Sequence, residues 1–367
     1  MEVLTPLVDA HCHSVVAADL DPAGFAHWAT EADRPGPSYL DSQVGLAIRR
    51  WCPPVLDLPA HAPLGDYLAR RAELGWRRAT AALMRSAGLA ALFVDTGLDG
   101  ADLVPWPELG GLAGAPVREV VRLERVAERL AADGGCTAAG FAEAYRTALA
   151  SRVADAVAVK SVVAYRHGLA VPPERPSPEE VRRAAGGWLA AAGPQPRLTD
   201  PVLLRFVLWA GVDTGVPLQV HTGFGDRDLA LRDADPALLQ PFLAAVEPAG
   251  VPVVLLHCYP YQRQAGWLAL VHPHVYADVG LTMTHLGVRA TAVLGEFFEL
   301  APFGKLMFST DAYGLPELYH VAAAQFRAAL SGLLDTWRAD GALSTVDAER
   351  IAALVCAGTA RRVYRSG

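Results

Sequence analysis

The chain has 367 residues, 52% of them hydrophobic and 19% charged, with a net charge of −7. That balance suits a well-buried globular enzyme and excludes a disordered chain. The absence of a basic stripe argues against nucleic acid or an anionic membrane surface as partner.

Leu7-Val8-Asp9-Ala10-His11-Cys12-His13 reads as a short apolar strand ending in two histidines. Side chains two apart on a strand share a face, so His11 and His13 are expected to point the same way, with Cys12 turned to the other. A second pair, His272-Pro273-His274, has the same spacing but precedes a strand and carries a proline between its histidines. Residues 14–88 form a long insertion after the first strand. Helices are expected over Asp21–Ala32, Ser42–Arg50 and Leu64–Ala87, making a helical cap over one end of the fold.

A regular rhythm follows. Apolar strands are predicted at Gly88–Asp95, Val117–Arg125, Asp155–Ala164, Val216–His221, Val251–His257, His274–Leu281 and Lys305–Asp311. Helix-length crossovers separate them, and residues 324–367 read as C-terminal helices. Eight near-continuous apolar strands alternating with helices imply an α/β fold, a (β/α)8 TIM barrel in a single domain spanning residues 1–367.

Polar, metal-capable residues fall at the C-terminal ends of these strands: His11 and His13 on the first, His221 on the fifth, His257 on the sixth and Asp311 on the eighth. Lys160 lies within the fourth. In such a barrel those ends converge on the face where active sites are built. Three imidazoles and a carboxylate there suit a zinc ion with one position open to water. The ion would make hydroxide available near neutral pH, and Asp311 could ligate, take the water proton and return it to the leaving group. Each residue has a bland alternative: Asp311 as a helix cap, Lys160 paired with Glu124, Arg166 paired with Asp226. Four strand ends with the same character, and a lysine inside a fifth apolar strand, are hard to explain that way.

His11-Cys12-His13, His221, His257 and Asp311 at strand ends one, five, six and eight resemble the amidohydrolase superfamily. The segments Lys160–Arg166, Pro217–Asp226, Leu256–Tyr261 and Phe308–Asp311 are similar to the amidohydrolase domain joined to glutamine synthetase-like domains in fungal developmental-signalling and plant nodulin-type proteins. Leu281 stands where those relatives carry a polar residue. The resemblance implies His11, His13 and Asp311 as ligands of a first metal and His221 as a ligand. It makes His257 either a ligand or a catalytic group polarising the substrate. Lys160 either is carboxylated and bridges two ions, or stays cationic and contacts substrate. The expected cofactor is one or two divalent ions, zinc foremost, with manganese or iron as alternatives.

The candidate substrate contacts are Arg166, as a clamp for a carboxylate, with Tyr165, Gln219, Thr222, Asp226 and Tyr261 around it, and His285 as a weaker member. The expected reaction is hydrolysis of an amide bond in a small polar substrate, carboxylate-bearing or of γ-glutamyl type. Decarboxylation or hydration on the same centre, a specialised biosynthetic reaction, and a non-catalytic scaffold barrel are the alternatives. The expected partner is a small molecule; a homo-oligomer is compatible with the sequence but leaves no mark in it. Five scattered cysteines suit reduced thiols, and Met1 to Pro6 lack the charged start and long apolar run of a secretory signal, so a cytoplasmic location is expected.

Overall fold

The structure, a computed structural model, describes residues 5–32, 35–98, 100 and 102–366. Eight strands form one sheet in the order of the sequence: β1 (Leu7–Cys12), β2 (Leu89–Asp95), β3 (Val117–Arg122), β4 (Ala158–Ser161), β5 (Leu218–Thr222), β6 (Val253–His257), β7 (Val275–Asp278) and β8 (Leu306–Met307). All seven pairings are parallel. Backbone bonds from Ala10 to the Phe308 carbonyl (3.1 Å) and from Asp311 to the His11 carbonyl (2.9 Å) bring the last segment back against the first. The result is the (β/α)8 barrel that the apolar rhythm predicts.

Several strands end earlier than expected. β3 stops at Arg122, because Leu123–Ala132 has apolar residues at helical spacing and turns into a helix. β7 stops at Asp278, and Gly280–His285 is helical. The largest departure is β8, which has two residues. Beyond it, the Thr310 amide and hydroxyl donate to the Asp9 carboxylate (2.8 and 2.6 Å), and the Ser309 hydroxyl donates to Asp278 (2.7 Å). Side-chain carboxylates replace the ladder there, so Asp311 stands four residues past the last paired strand residue.

Inside the barrel, Val8, Ala10, Phe93, Val120, Ala158, Val254, Leu256 and Met307 pack against Ala360, Val363 and Tyr364. The C-terminal helix Thr359–Tyr364 therefore closes the lower end of the barrel, with Tyr364 stacked edge-on against Phe93 at 5.0 Å between centroids.

The insertion is helical, as expected, over Pro22–Trp28, Gln43–Trp51, Leu64–Leu74 and Trp76–Ser86. Gly75, at φ 75°, splits the last two where one continuous helix was predicted. The insertion is fastened to the barrel by buried polar contacts. Arg71 and Tyr67 both donate to Glu317 at 2.8 Å, in the first turn of the helix Pro316–Ala339. Trp28 packs against Tyr313 at 4.9 Å between centroids. The insertion thereby grips the segment that carries Asp311.

Candidate metal centre

The C-terminal strand ends converge on Asp311. Its Oδ1 lies 3.1 Å from His11 Nε2 and 3.2 Å from His13 Nε2, and its Oδ2 lies 3.4 Å from His257 Nε2. His221 packs on His257 at 4.6 Å between centroids, and Lys160 Nζ is 3.0 Å from His11 Nε2. The cluster opens into a cavity of about 280 Å³ whose lining includes His13, Lys160, His221 and Asp311.

The hydrogen bonds behind the imidazoles fix their tautomers. Gln219 Nε2 donates to the Ala10 carbonyl (2.7 Å) and to the Tyr364 hydroxyl (2.8 Å). Its Oε1 therefore faces His11 Nδ1 at 2.8 Å, and an acceptor there requires the proton to sit on Nδ1. His13 Nδ1 faces the Asp95 backbone carbonyl at 3.3 Å, with the same consequence. Both histidines turn unprotonated Nε2 atoms toward the carboxylate of Asp311, and Lys160 Nζ also reaches the Nε2 of His11. Lone pair against anion at 3.1–3.2 Å is repulsive unless a cation lies between them.

His257 is set the other way. The Leu281 amide donates to its Nδ1 (3.4 Å), so the ring proton belongs on Nε2, aimed at Asp311 Oδ2. The backbone of Leu281 supplies the polar contact that its side chain cannot. Burial holds His11 down to about 4 and His257 down to about 3, so both rings are neutral at physiological pH.

These residues fit a divalent cation. Nitrogen and oxygen ligands bonded at about 2.0–2.1 Å in a tetrahedron stand about 3.3 Å apart, close to the spacings seen here. His221 Nε2, His257 Nε2 and Asp311 Oδ1 are all buried without a hydrogen-bond partner. A cation held by His221 and Asp311 supplies what those two lack.

Backbone strain collects at the same place. His257 (φ 66°) and Asp311 (φ 50°) sit in the left-handed region, unusual for residues other than glycine. The His257 amide donates to Asp278 (2.8 Å), and the Thr282 hydroxyl donates to its carbonyl (2.7 Å), which pins the conformation. Gly280 lies so close to His257 that a Cβ would collide with Nδ1.

Lys160 is buried, and its partner is Asp95 at 3.1 Å, not Glu124. Glu124 instead accepts from the Ser161 hydroxyl and the Val162 amide. Asp95 also receives Arg122 at 2.7 and 3.1 Å. Burial would raise the Asp95 carboxyl, but Arg122 and Lys160 outweigh it and hold it well below the usual range. Burial lowers the Lys160 ammonium.

Of the expected substrate contacts, Tyr165, Arg166 and Asp226 line the cavity. Tyr165 packs on His221 at 4.6 Å between centroids, and Gly225 leaves room for its hydroxyl, which a Cβ would strike. Arg166 pairs with Glu128 at 3.1 Å, not with Asp226, and its Nε and Nη1 are buried without partners. Gln219 holds His11 from below and is out of a substrate's reach. Two placements are corrected. The Thr222 hydroxyl donates to the Leu256 carbonyl (2.7 Å), on the face opposite His221, because strand residues alternate. The Tyr261 hydroxyl donates to the Leu231 carbonyl (3.0 Å) in the loop after β5. Neither is part of the cavity lining. His285 is half-buried beside Phe224, 3.9 Å from Glu31.

The sequence reasoning missed Asp95, Arg122, Glu31, Arg197, Asp228 and Tyr313, all at or around the cavity. Asp95 and Arg122 carried the same strand-end signal as the histidines, since each is the last residue of its strand. Glu31 gave no such signal, because the insertion has no strand end to mark it.

A profile of the Amidohydrolase family matches residues 8–366. Protein fluG of Emericella nidulans is 34% identical over 239 residues, covering 61% of this chain; the match spans 27% of that protein's own length. Among solved structures, a protein assigned as a metal-dependent hydrolase from Lactobacillus casei ATCC 334 superposes with a TM-score of 0.87 at 27% identity, covering 99% of this chain and 96% of the other. Glucuronate isomerase from Caulobacter crescentus has a TM-score of 0.67 at 14% identity, covering 99% and 92%, a likeness of fold.

Proposed function

The chain belongs to the Amidohydrolase family, and from that premise we propose that this enzyme hydrolyses an amide bond in a small polar substrate bearing a carboxylate, using one divalent ion, zinc foremost. The observation that carries the reading is the convergence of His11 Nε2 and His13 Nε2, both left unprotonated by the acceptors behind their rings, on Asp311 Oδ1. His11, His13, His221 and Asp311 would hold the ion. When bound, such an ion polarises a carbonyl and makes water acidic enough to act as nucleophile near neutral pH.

The remaining steps belong to the chain's own residues. Asp311 Oδ2 faces His257 and is placed to accept the proton of the attacking water and return it to the leaving nitrogen. His257 Nε2–H is placed to donate to the carbonyl oxygen as charge develops there. Arg166 offers its two unpartnered nitrogens to a substrate carboxylate, and Tyr165 packs His221 in place. Lys160, held by Asp95, acts as a fixed cation at the cavity wall. Two features favour one ion over two: the His257 tautomer aims a proton, not a lone pair, and Lys160 is already paired.

Metal content per chain, on wild type and Lys160→Ala, tests this directly. One equivalent in both is expected. Two equivalents falling to one would establish a bridged pair of ions and overturn the single-ion reading. No metal in either protein, even after reconstitution, would sink the mechanism. Arg166→Gln is expected to raise KM for a carboxylate-bearing amide at least about tenfold with a smaller change in kcat. Release of CO2 in place of an amine would move the reaction to decarboxylation on the same centre. The free cysteines, four of the five buried, suit a cytoplasmic setting. Among the described residues no helix is long and apolar enough to cross a membrane.

A further inference from the structure

A second, smaller pocket of about 180 Å³ adjoins the cavity beneath the insertion. The two share Glu31, Asp226, Asp311 and Tyr313, so they meet at the carboxylate on which the histidines converge. Their characters differ. The cavity has its cations in Lys160, Arg122, Arg166 and Arg197. The smaller pocket has aromatic surface from Trp28 and Tyr313 and carboxylates from Glu31, Asp226 and Asp311. Among the described residues no Lys or Arg lines it, and His27 at its rim is exposed.

We propose that this pocket is the subsite for the departing amine, and that it selects an amine bearing a second, positively charged nitrogen. The inference rests on the amide-hydrolase reading above. The whole substrate is then a carboxylate-bearing acyl group joined to a diamine, with its two charges on opposite sides of the scissile bond. The acyl carboxylate lies toward Arg166, and the far ammonium lies toward Glu31.

Glu31 is the residue on which the choice of a cation turns. Among the described ion pairs its one partner is the ring of His285, at 3.9 Å. Its carboxyl shares the pocket lining with those of Asp311 and Asp226, and among the described residues no Lys or Arg counter-ion faces it. A ligand ammonium supplies that counter-ion, and the rings of Trp28 and Tyr313 attract a cation as well. An ion held by Asp311 would repel an ammonium at short range. The second nitrogen must therefore stand several atoms from the scissile bond, at the Glu31 end of the pocket, and the length of a diamine meets that need.

Binding separates the subsite from the chemistry. The probes are 1,4-diaminobutane and butylamine, titrated calorimetrically into the zinc-loaded protein. The diamine is expected to bind at least about tenfold more tightly. Glu31→Gln is expected to collapse that ratio to within about twofold, and Glu31→Asp to keep part of it. Equal binding of the two amines by wild type, or a preference that survives Glu31→Gln, overturns the proposal. Hydrolysis of mono-N-glutaryl-1,4-diaminobutane and N-glutaryl-butylamine is followed in parallel. A Glu31-dependent diamine preference without cleavage of either amide sinks the hydrolase reading and leaves a cation subsite. Cleavage of both at equal rates, with equal amine binding, leaves the hydrolase and sinks the subsite.

Discussion

Two histidine pairs with the same spacing sit at opposite ends of the barrel. His11 and His13 leave β1 at its C-terminal end, with ring centroids 5.0 Å apart, and both reach one oxygen of Asp311. His272 and His274 enter β7 from the other end, with centroids 5.9 Å apart. Their carboxylate is Glu247, 3.2 Å from His272 and 4.0 Å from His274. Lys305 donates to the Pro273 and Val275 carbonyls beside them. The lesson is that spacing supplies only proximity. A ligand pair also needs acceptors behind its rings to fix the protons and a shared anion in front. The upper pair has Gln219, the Asp95 carbonyl and Asp311; among the described contacts the lower pair has half of one such set.

The contrast is sharpened first by paired deletions. His11→Ala with His13→Ala is expected to empty the centre and cut turnover at least about 10³-fold. His272→Ala with His274→Ala is expected to leave metal content and turnover within about twofold of wild type. Elemental analysis on matched preparations decides it, and loss of metal from the lower pair of substitutions would break the comparison.

A smaller effect is expected from the support alone. Gln219→Leu keeps the approximate volume but removes the acceptor behind His11. Metal affinity should fall about 10–100-fold, read by competition with a chromophoric chelator. Unchanged affinity would mean that the tautomer argument carries no weight.

The smallest effect concerns the lower pair and pH. Burial lowers the His274 pKa in the folded state. The unfolded chain, with an ordinary value near ~6.5, then binds more protons, so stability is present above that pH and is lost as pH falls through it. His274→Gln should flatten the dependence of folding stability on pH between about 5 and 7.5. Denaturant titrations across that range give the answer, and parallel curves for variant and wild type would assign the pH response elsewhere.

Much of the frame was legible in the residues, because near-continuous apolar strands read the same alone or assembled. Alternation on β5 put Gln219 and His221 on one face, and the structure keeps them there. The same rule, applied one step further, would have turned Thr222 away from the cavity. What escaped had other causes. The short β8 depends on Ser309 and Thr310 finding carboxylates on distant strands, which no local pattern records. Glu31 reaches the cavity because Arg71 and Tyr67 anchor the insertion on Glu317, some 250 residues away in sequence. Arg166 was expected as a carboxylate clamp, with a loop acid such as Asp226 as its bland alternative; it pairs with Glu128, which lies on the helix Leu123–Ala132.

The Gln219 bridge has a consequence for how the protein is made. It hangs from Tyr364, on the helix Thr359–Tyr364 that closes the lower end of the barrel. The floor that aligns His11 is therefore borrowed from an element that belongs to none of the eight strands. The barrel can close around its strands before that helix docks, but the ring of His11 is set only once it has. Docking of one short helix thus acts as the check that the vessel is whole before its upper end can work.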